Sequence, residues 1–250
     1  MQSPQFFVVD DPTAYTQRAI AIMRALADSA IAQRGCFRIA LSGGATPRPV
    51  YAALATAPGI DWPRWELFWS DERTVPPSSL ESNFGMANEL LLEPLAARGI
   101  VPGRVERLQG EIEPATAAAN YEQTLRTLDG NGTPRFDLIH LGIGGDGHTA
   151  SLFPHTAALA ESAHLVVANV VPKLKTVRLT FTFPLINAAR NVLFLVNGES
   201  KAAALQAVLE GPRDIAQWPS QGVQPHNGQV TWLVDSAAAA LLTGAAFATT

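Results

Sequence analysis

One stretch limits the fold more than any other. Phe136-Asp137-Leu138-Ile139-His140-Leu141 runs straight into glycines at 142, 144, 145 and 147, with Asp146 and His148 set among them. Its apolar part suits a strand buried on both faces, and such strands belong to sheets covered by helices. In an open α/β sheet, ligands sit outside the carboxyl ends of the strands. A buried strand that stops in glycines carrying a carboxylate and an imidazole therefore marks a sheet centre and a candidate site together.

The rest of the chain alternates around it. Strands are expected at Phe6 to Val9, Cys36 to Leu41, Trp65 to Trp69 and near Val105, then at Leu165 to Val171, Val177 to Phe181, Asn191 to Val196 and Val230 to Val234. Asp11-Pro12-Thr13 opens a helix with proline in its first turn. Tyr15, Ala19, Ile22, Leu26 and Ala30 recur at steps of three and four as its apolar face, and Gly35 closes it. Further helices are expected from about Pro47 to Ala57, Asn83 to Ala97, Ala115 to Leu128, Pro184 to Arg190 and Glu199 to Leu209, with a short alanine-rich one after Val234. Glycines and prolines break any period between Gly211 and Gly228, so that segment is expected to be irregular. Strands alternating with helices predict an α/β fold with a mainly parallel sheet and helices on both faces. Neither an internal repeat nor a linker divides the chain, so residues 1–250 are read as a single domain.

Composition narrows the partners. With 47% hydrophobic and 16% charged residues, the 250-residue chain can fill a large core. A net charge of −4 argues against nucleic acid or an anionic membrane as partner, while leaving room for a local basic pocket. The one cysteine, Cys36, excludes an intrachain disulfide and a thiolate metal cluster, and is expected to be a small buried hydrophobe. No apolar run reaches membrane-spanning length, and Met1 to Asp10 lacks a signal pattern, so the expected location is the cytoplasm.

The loops carry the chemistry. Ser42-Gly43-Gly44-Ala45-Thr46 offers backbone N–H groups, hydroxyls and a helix start, which suits a phosphate or serves as an ordinary turn. It lacks the Lys-Ser/Thr ending of a nucleotide-triphosphate loop. Gly142-Ile143-Gly144-Gly145-Asp146-Gly147 matches a dinucleotide fingerprint in form, but Asp146 would set a negative charge against the pyrophosphate. His148, beside a carboxylate that can fix its tautomer, is a candidate general base. No metal site is expected, because no ligand spacing accompanies it. Lys201, in a first helical turn, opposes the helix dipole unless an anion is near, which makes it a phosphate candidate or a partner of Glu199. Arg178 in an apolar strand is either an edge-strand solvent residue or an anion ligand, and Arg73 after Asp71-Glu72 is similar. A weaker pattern sets Ser200, Asp214 and His226 in the order of a hydrolase triad, but its elbow ends in Ala202 where glycine is required.

Taken together, Ser42 to Pro47, Ser70-Asp71-Glu72-Arg73-Thr74-Val75-Pro76, Ser82 to Met86, Gly142 to Pro154, Arg178-Leu179-Thr180 and Gly198 to Lys201 resemble the glucosamine-6-phosphate isomerase/6-phosphogluconolactonase family. The resemblance implies a Rossmann-like fold and, on the lactonase side, hydrolysis of 6-phospho-D-glucono-1,5-lactone in the oxidative pentose phosphate pathway without a cofactor. The isomerising side uses a histidine supported by a glutamate five residues later; here that position is Phe153. On the same resemblance, His148 and Asp146 are the expected catalytic pair. Ser42, Gly43, Gly44, Thr46, Arg73, Arg178 and Lys201 are expected to hold substrate phosphate. Gly144, Gly145 and Asp71 are candidates for oxyanion or sugar contacts. The expected partner is a small sugar-phosphate lactone, and the protein a monomer or weak homo-oligomer. A sugar-phosphate sensor without turnover is the other class.

Overall fold

The computed structural model describes residues 3–130 and 132–243. In chain order its main elements are β1 (Gln5–Val8), α1 (Pro12–Arg34), β2 (Phe37–Leu41), α2 (Arg48–Thr56), β3 (Trp65–Trp69), β4 (Asp71–Arg73), α3 (Asn83–Ala87), α4 (Glu93–Ala97), β5 (Arg104–Val105) and α5 (Pro114–Arg126). There follow β6 (Leu138–Leu141), β7 (Val166–Val171), β8 (Thr176–Phe181), α6 (Phe183–Ile186), β9 (Asn191–Val196), α7 (Ala202–Leu209), β10 (Gln229–Val234) and α8 (Ser236–Ala239).

A 7-stranded sheet runs in the order β1-β10-β9-β6-β2-β3-β5, and every pairing in it is parallel. The strand that leads into the glycines at 142–147, β6, lies at its centre. Every residue from Leu138 to Leu141 is buried. Neighbouring side chains on a strand point to opposite faces, so both faces of the sheet are covered there.

Helix α1 begins and ends as its sequence dictates. Asp11 accepts from the Ala14 N–H at 2.7 Å, and Gly35 closes the helix at φ +81. Its buried face is Tyr15, Ala19, Met23, Ala27 and Ala30, while Ile22 and Leu26 are only half-buried at its flank. Small Ala19, Ala27 and Ala30 let the helix lie close to the core; Ala19 and Ala30 are expected there from the sequence, Met23 and Ala27 are not. The expected single helix over 83–97 is instead α3 and α4 joined by a π-helical segment, Asn88–Leu92. Cys36 is half-exposed rather than buried, because it precedes the first residue of β2 at the rim of the sheet.

A second sheet lay outside the sequence expectation. It is 3-stranded and antiparallel, in the order β4-β8-β7. Asp71–Arg73, which is not among the expected strands, pairs with β8. One apolar cluster takes in residues of both sheets, and the Phe136 and Phe181 rings meet across it at 5.5 Å. Among the described residues, no helix is long and apolar enough to cross a membrane.

Candidate functional site

Parallel register brings the strand ends together. Leu41 lies beside Trp69, and Leu141 beside Phe194. The loops that follow line one cavity of about 370 Å³, which takes in Ser42, Gly43, Gly44, Thr46, Asp71, Arg73, Gly144, His148 and Lys201. A second cavity of about 430 Å³ is lined by Gly145, Asp146, Lys173 and Arg178, among others. Asp71, Arg73, His148 and Ala150 line both. The expected residues are thus gathered in one region but divided between two chambers, with Lys201 in the first and Arg178 in the second.

His148 is held on two sides. Its Nδ1 lies 2.6 Å from Asp146 Oδ1, and Phe153 stacks on the ring. The other Asp146 oxygen accepts from Lys173 Nζ at 2.9 Å. The His148 bond chiefly, with Lys173 adding to it, holds the Asp146 carboxyl below the usual carboxylate range. Glycine is required behind this pair: a Cβ on Gly144 would lie 2.0 Å from His148 Nδ1 and 2.7 Å from Asp146 Oδ1. The Gly144 N–H donates to the His148 carbonyl at 2.8 Å, which folds the loop back on itself. Gly147 sits at φ +76, and its carbonyl accepts from the Ser220 N–H at 3.0 Å and the Ser220 Oγ at 2.8 Å. The irregular segment between Gly211 and Gly228 therefore backs the histidine loop.

The acids of β4 are tied down. Asp71 is buried, and its Oδ2 accepts from Ser151 Oγ at 2.7 Å while Oδ1 accepts from Asn83 Nδ2 at 3.2 Å. Glu72 accepts from the N–H groups of Arg73, Asn83 and Phe84 and from Ser82 Oγ, although burial still pushes its pKa up. It clamps the start of α3 against the site.

The glycine loop after β2 is a cradle with little spare room. A Cβ on Gly43 would lie 1.7 Å from Asn83 Oδ1, and Gly44 adopts φ +94. Thr46 Oγ1 donates to Asn197 Oδ1 at 2.6 Å. The Ser42 hydroxyl turns inward and donates to the His140 carbonyl at 2.6 Å. The Lys201 ammonium has no ion pair with Glu199 or any other acid among the described residues. His140, expected as core, is buried with its Nδ1 3.1 Å from Tyr51 Oη, and burial pushes its pKa down to about 3. Ser200 lines the first cavity and His226 a separate one. Sequence reasoning gave no role to Lys173, Asn83 or Ser151. Only Asn83 carried a signal, as the first residue after the helix-capping Ser82.

Comparison with known proteins agrees with this architecture. The model of the family described as glucosamine-6-phosphate isomerases/6-phosphogluconolactonase matches residues 10–232. The 6-phosphogluconolactonase of Nostoc sp. is 41% identical over 238 residues, covering 94% of this chain and 97% of that protein. The human 6-phosphogluconolactonase is 40% identical, covering 84% of this chain and 82% of that protein. The crystal structure of the Thermotoga maritima 6-phosphogluconolactonase superposes with a TM-score of 0.80 at 29% identity, covering 93% of this chain and 100% of that one.

Proposed function

The chain belongs to the glucosamine-6-phosphate isomerase/6-phosphogluconolactonase family, and from that premise we propose that it hydrolyses 6-phospho-D-glucono-1,5-lactone to 6-phospho-D-gluconate. The observation that carries the proposal is the Asp146–His148 pair with Phe153 on its ring. Asp146 occupies Nδ1, so Nε2 is left as the proton acceptor on the cavity side. Phe153 has no group that can take up or release a proton, which favours lactone hydrolysis over the glutamate-assisted ring opening of the isomerising side.

Nε2 takes a proton from water as the water oxygen bonds to C1. Asp146 holds the imidazole in one tautomer and stabilises its cation. The charge that builds on the carbonyl oxygen meets Arg73 or the Gly145 N–H, since the Gly144 N–H is already committed to His148. One such donor contributes about 3 kcal/mol. Collapse breaks the bond from C1 to the ring oxygen, which takes the proton from His148, and the new carboxylic acid ionises. Gly43, Gly44, Thr46 and Lys201 hold the 6-phosphate, with Ser42 shaping the loop and Arg73 contributing charge. That remote binding positions the reacting carbon. Asp71 contacts the sugar. A single domain spanning residues 1–250, working in the cytoplasm as a monomer or weak homo-oligomer in the oxidative pentose phosphate pathway without nucleic acid, completes the proposal; the lone free thiol of Cys36 suits a reducing compartment.

The test pairs two assays on one preparation. Lactone decay above the spontaneous rate is expected, with no ammonia release from glucosamine 6-phosphate. Ammonia release would assign the protein to the isomerising side, and activity in neither assay would make it a sensor.

A further inference from the structure

Arg73 and Arg178 stand directly opposite each other on β4 and β8. Their side chains therefore share one face of the small sheet, where like charges are destabilising. Both are half-buried, and neither has an acid within ion-pair distance among the described residues. Arg73 donates to the Glu81 carbonyl at 2.7 Å. The Arg178 guanidinium, with its five N–H donors, has no acceptor within hydrogen-bond reach among the described residues. Burial chiefly, and Arg73 in addition, push its pKa down. An anion at this point would satisfy those donors and relieve the repulsion.

Placement decides which anion. Arg178 lines the chamber of Gly145, Asp146 and Lys173, whereas Lys201 and the Gly43–Gly44–Thr46 cradle line the other; His148 belongs to both. The reacting carbon must lie at His148; in the lactone it is joined through the ring oxygen to C5, which bears the phosphate arm, and the exocyclic acyl oxygen diverges from that arm. Phosphate in the cradle leaves the acyl oxygens facing the second chamber. We propose that Arg178 binds the acyl end of the substrate, joining Arg73 or the Gly145 N–H on the oxyanion and then gripping the product carboxylate, rather than holding the phosphate. This rests on the lactonase reading above. A planar guanidinium matches a carboxylate in bidentate fashion. A neutral lactone carbonyl gains little from it, so the contact strengthens as charge builds.

The test compares two inhibitors of lactone hydrolysis. One is 6-phospho-D-gluconate. The other is D-glucitol 6-phosphate, which carries CH₂OH where the first carries carboxylate. Arg178→Gln is expected to raise the inhibition constant of the gluconate at least about 10-fold and that of the glucitol less than about 2-fold, the loss expected for a charged hydrogen bond. It should also lower kcat more than it raises KM for the lactone. Lys201→Met is expected to weaken both inhibitors. Equal weakening of both by Arg178→Gln would make Arg178 a phosphate ligand, and no change in either would remove it from the site; each overturns the proposal. Removing one of two opposed cations should not destabilise the fold. Should Arg178→Gln nonetheless fail to fold, Arg178→Lys keeps the charge, loses the fork, and must still weaken the gluconate selectively. Calorimetric binding of both compounds reads the same selectivity without turnover, so failure here is distinct from absence of lactonase activity.

Discussion

Phe153 lies stacked on the His148 imidazole, with ring centroids 4.1 Å apart and planes inclined by 23°. Asp146 grips the same ring at its edge through Nδ1. Face and edge are thus fixed by different residues. Phe153→Leu keeps an apolar side chain but loses the stack, an interaction of about 0.5–1.5 kcal/mol. Steady-state kinetics should show kcat reduced by about 5- to 10-fold with KM nearly unchanged. A rise confined to KM would separate Phe153 from the histidine.

Gly144→Ala tests the loop behind the pair. The added methyl would lie 2.0 Å from His148 Nδ1, so the imidazole and Asp146 must part. Turnover should fall by about 100-fold, the scale of general-base catalysis. Binding of 6-phospho-D-gluconate, measured by calorimetry, should persist because the proposed phosphate contacts come from other loops of the same cavity.

Lys173 competes with His148 for the Asp146 carboxylate, from a side chain that is 69% exposed. The other charges lining these chambers are Asp71, Arg73, Arg178 and Lys201. Without Lys173 one Asp146 oxygen loses its partner, and the carboxylate that orients His148 is held by fewer contacts. Lys173→Met should lower kcat by about 2- to 3-fold, the scale of a solvent-screened pair. Lys173→Arg should restore it, and high salt should shrink the difference. An unchanged kcat would make the ion pair a surface contact only.

His140 gives the fold a pH dependence of its own. Its pKa is pushed from 6.5 down to about 3 by burial. The unfolded chain therefore takes up a proton near pH 6.5 that the folded ring refuses until about pH 3. Stability from this group is whole above pH 6.5 and falls as pH drops toward 3. Between pH 7 and 5.5 the wild type should lose about 1 kcal/mol more than His140→Gln. Denaturant titrations at the two pH values read it directly; parallel losses in both proteins would contradict it.

Much of this was legible from residue patterns. The apolar run into β6 and its glycines pointed to the sheet centre and to the cavity beyond it, because a strand buried on both faces has a distinct composition. The 3-stranded sheet was not, because Asp71-Glu72-Arg73 shows neither apolar alternation nor β-branched residues. Its pairing with β8 is set by tertiary contacts, Ser151 to Asp71 among them. Lys173 was invisible for a similar reason: it lies in a turn between β7 and β8 and meets Asp146 only when the chain folds back. The loop Ser42 to Thr46 reads as a candidate phosphate site or an ordinary turn, but the inward turn of the Ser42 hydroxyl depends on the His140 carbonyl, which no local sequence reveals.

The most direct measurement is single-variant turnover of 6-phospho-D-glucono-1,5-lactone by His148→Gln, corrected for spontaneous decay, alongside calorimetric binding of 6-phospho-D-gluconate. The expected result is a fall in kcat of at least about 100-fold with product binding retained. Turnover within about 3-fold of wild type, against that 100-fold expectation, would contradict the assignment of His148 as the base.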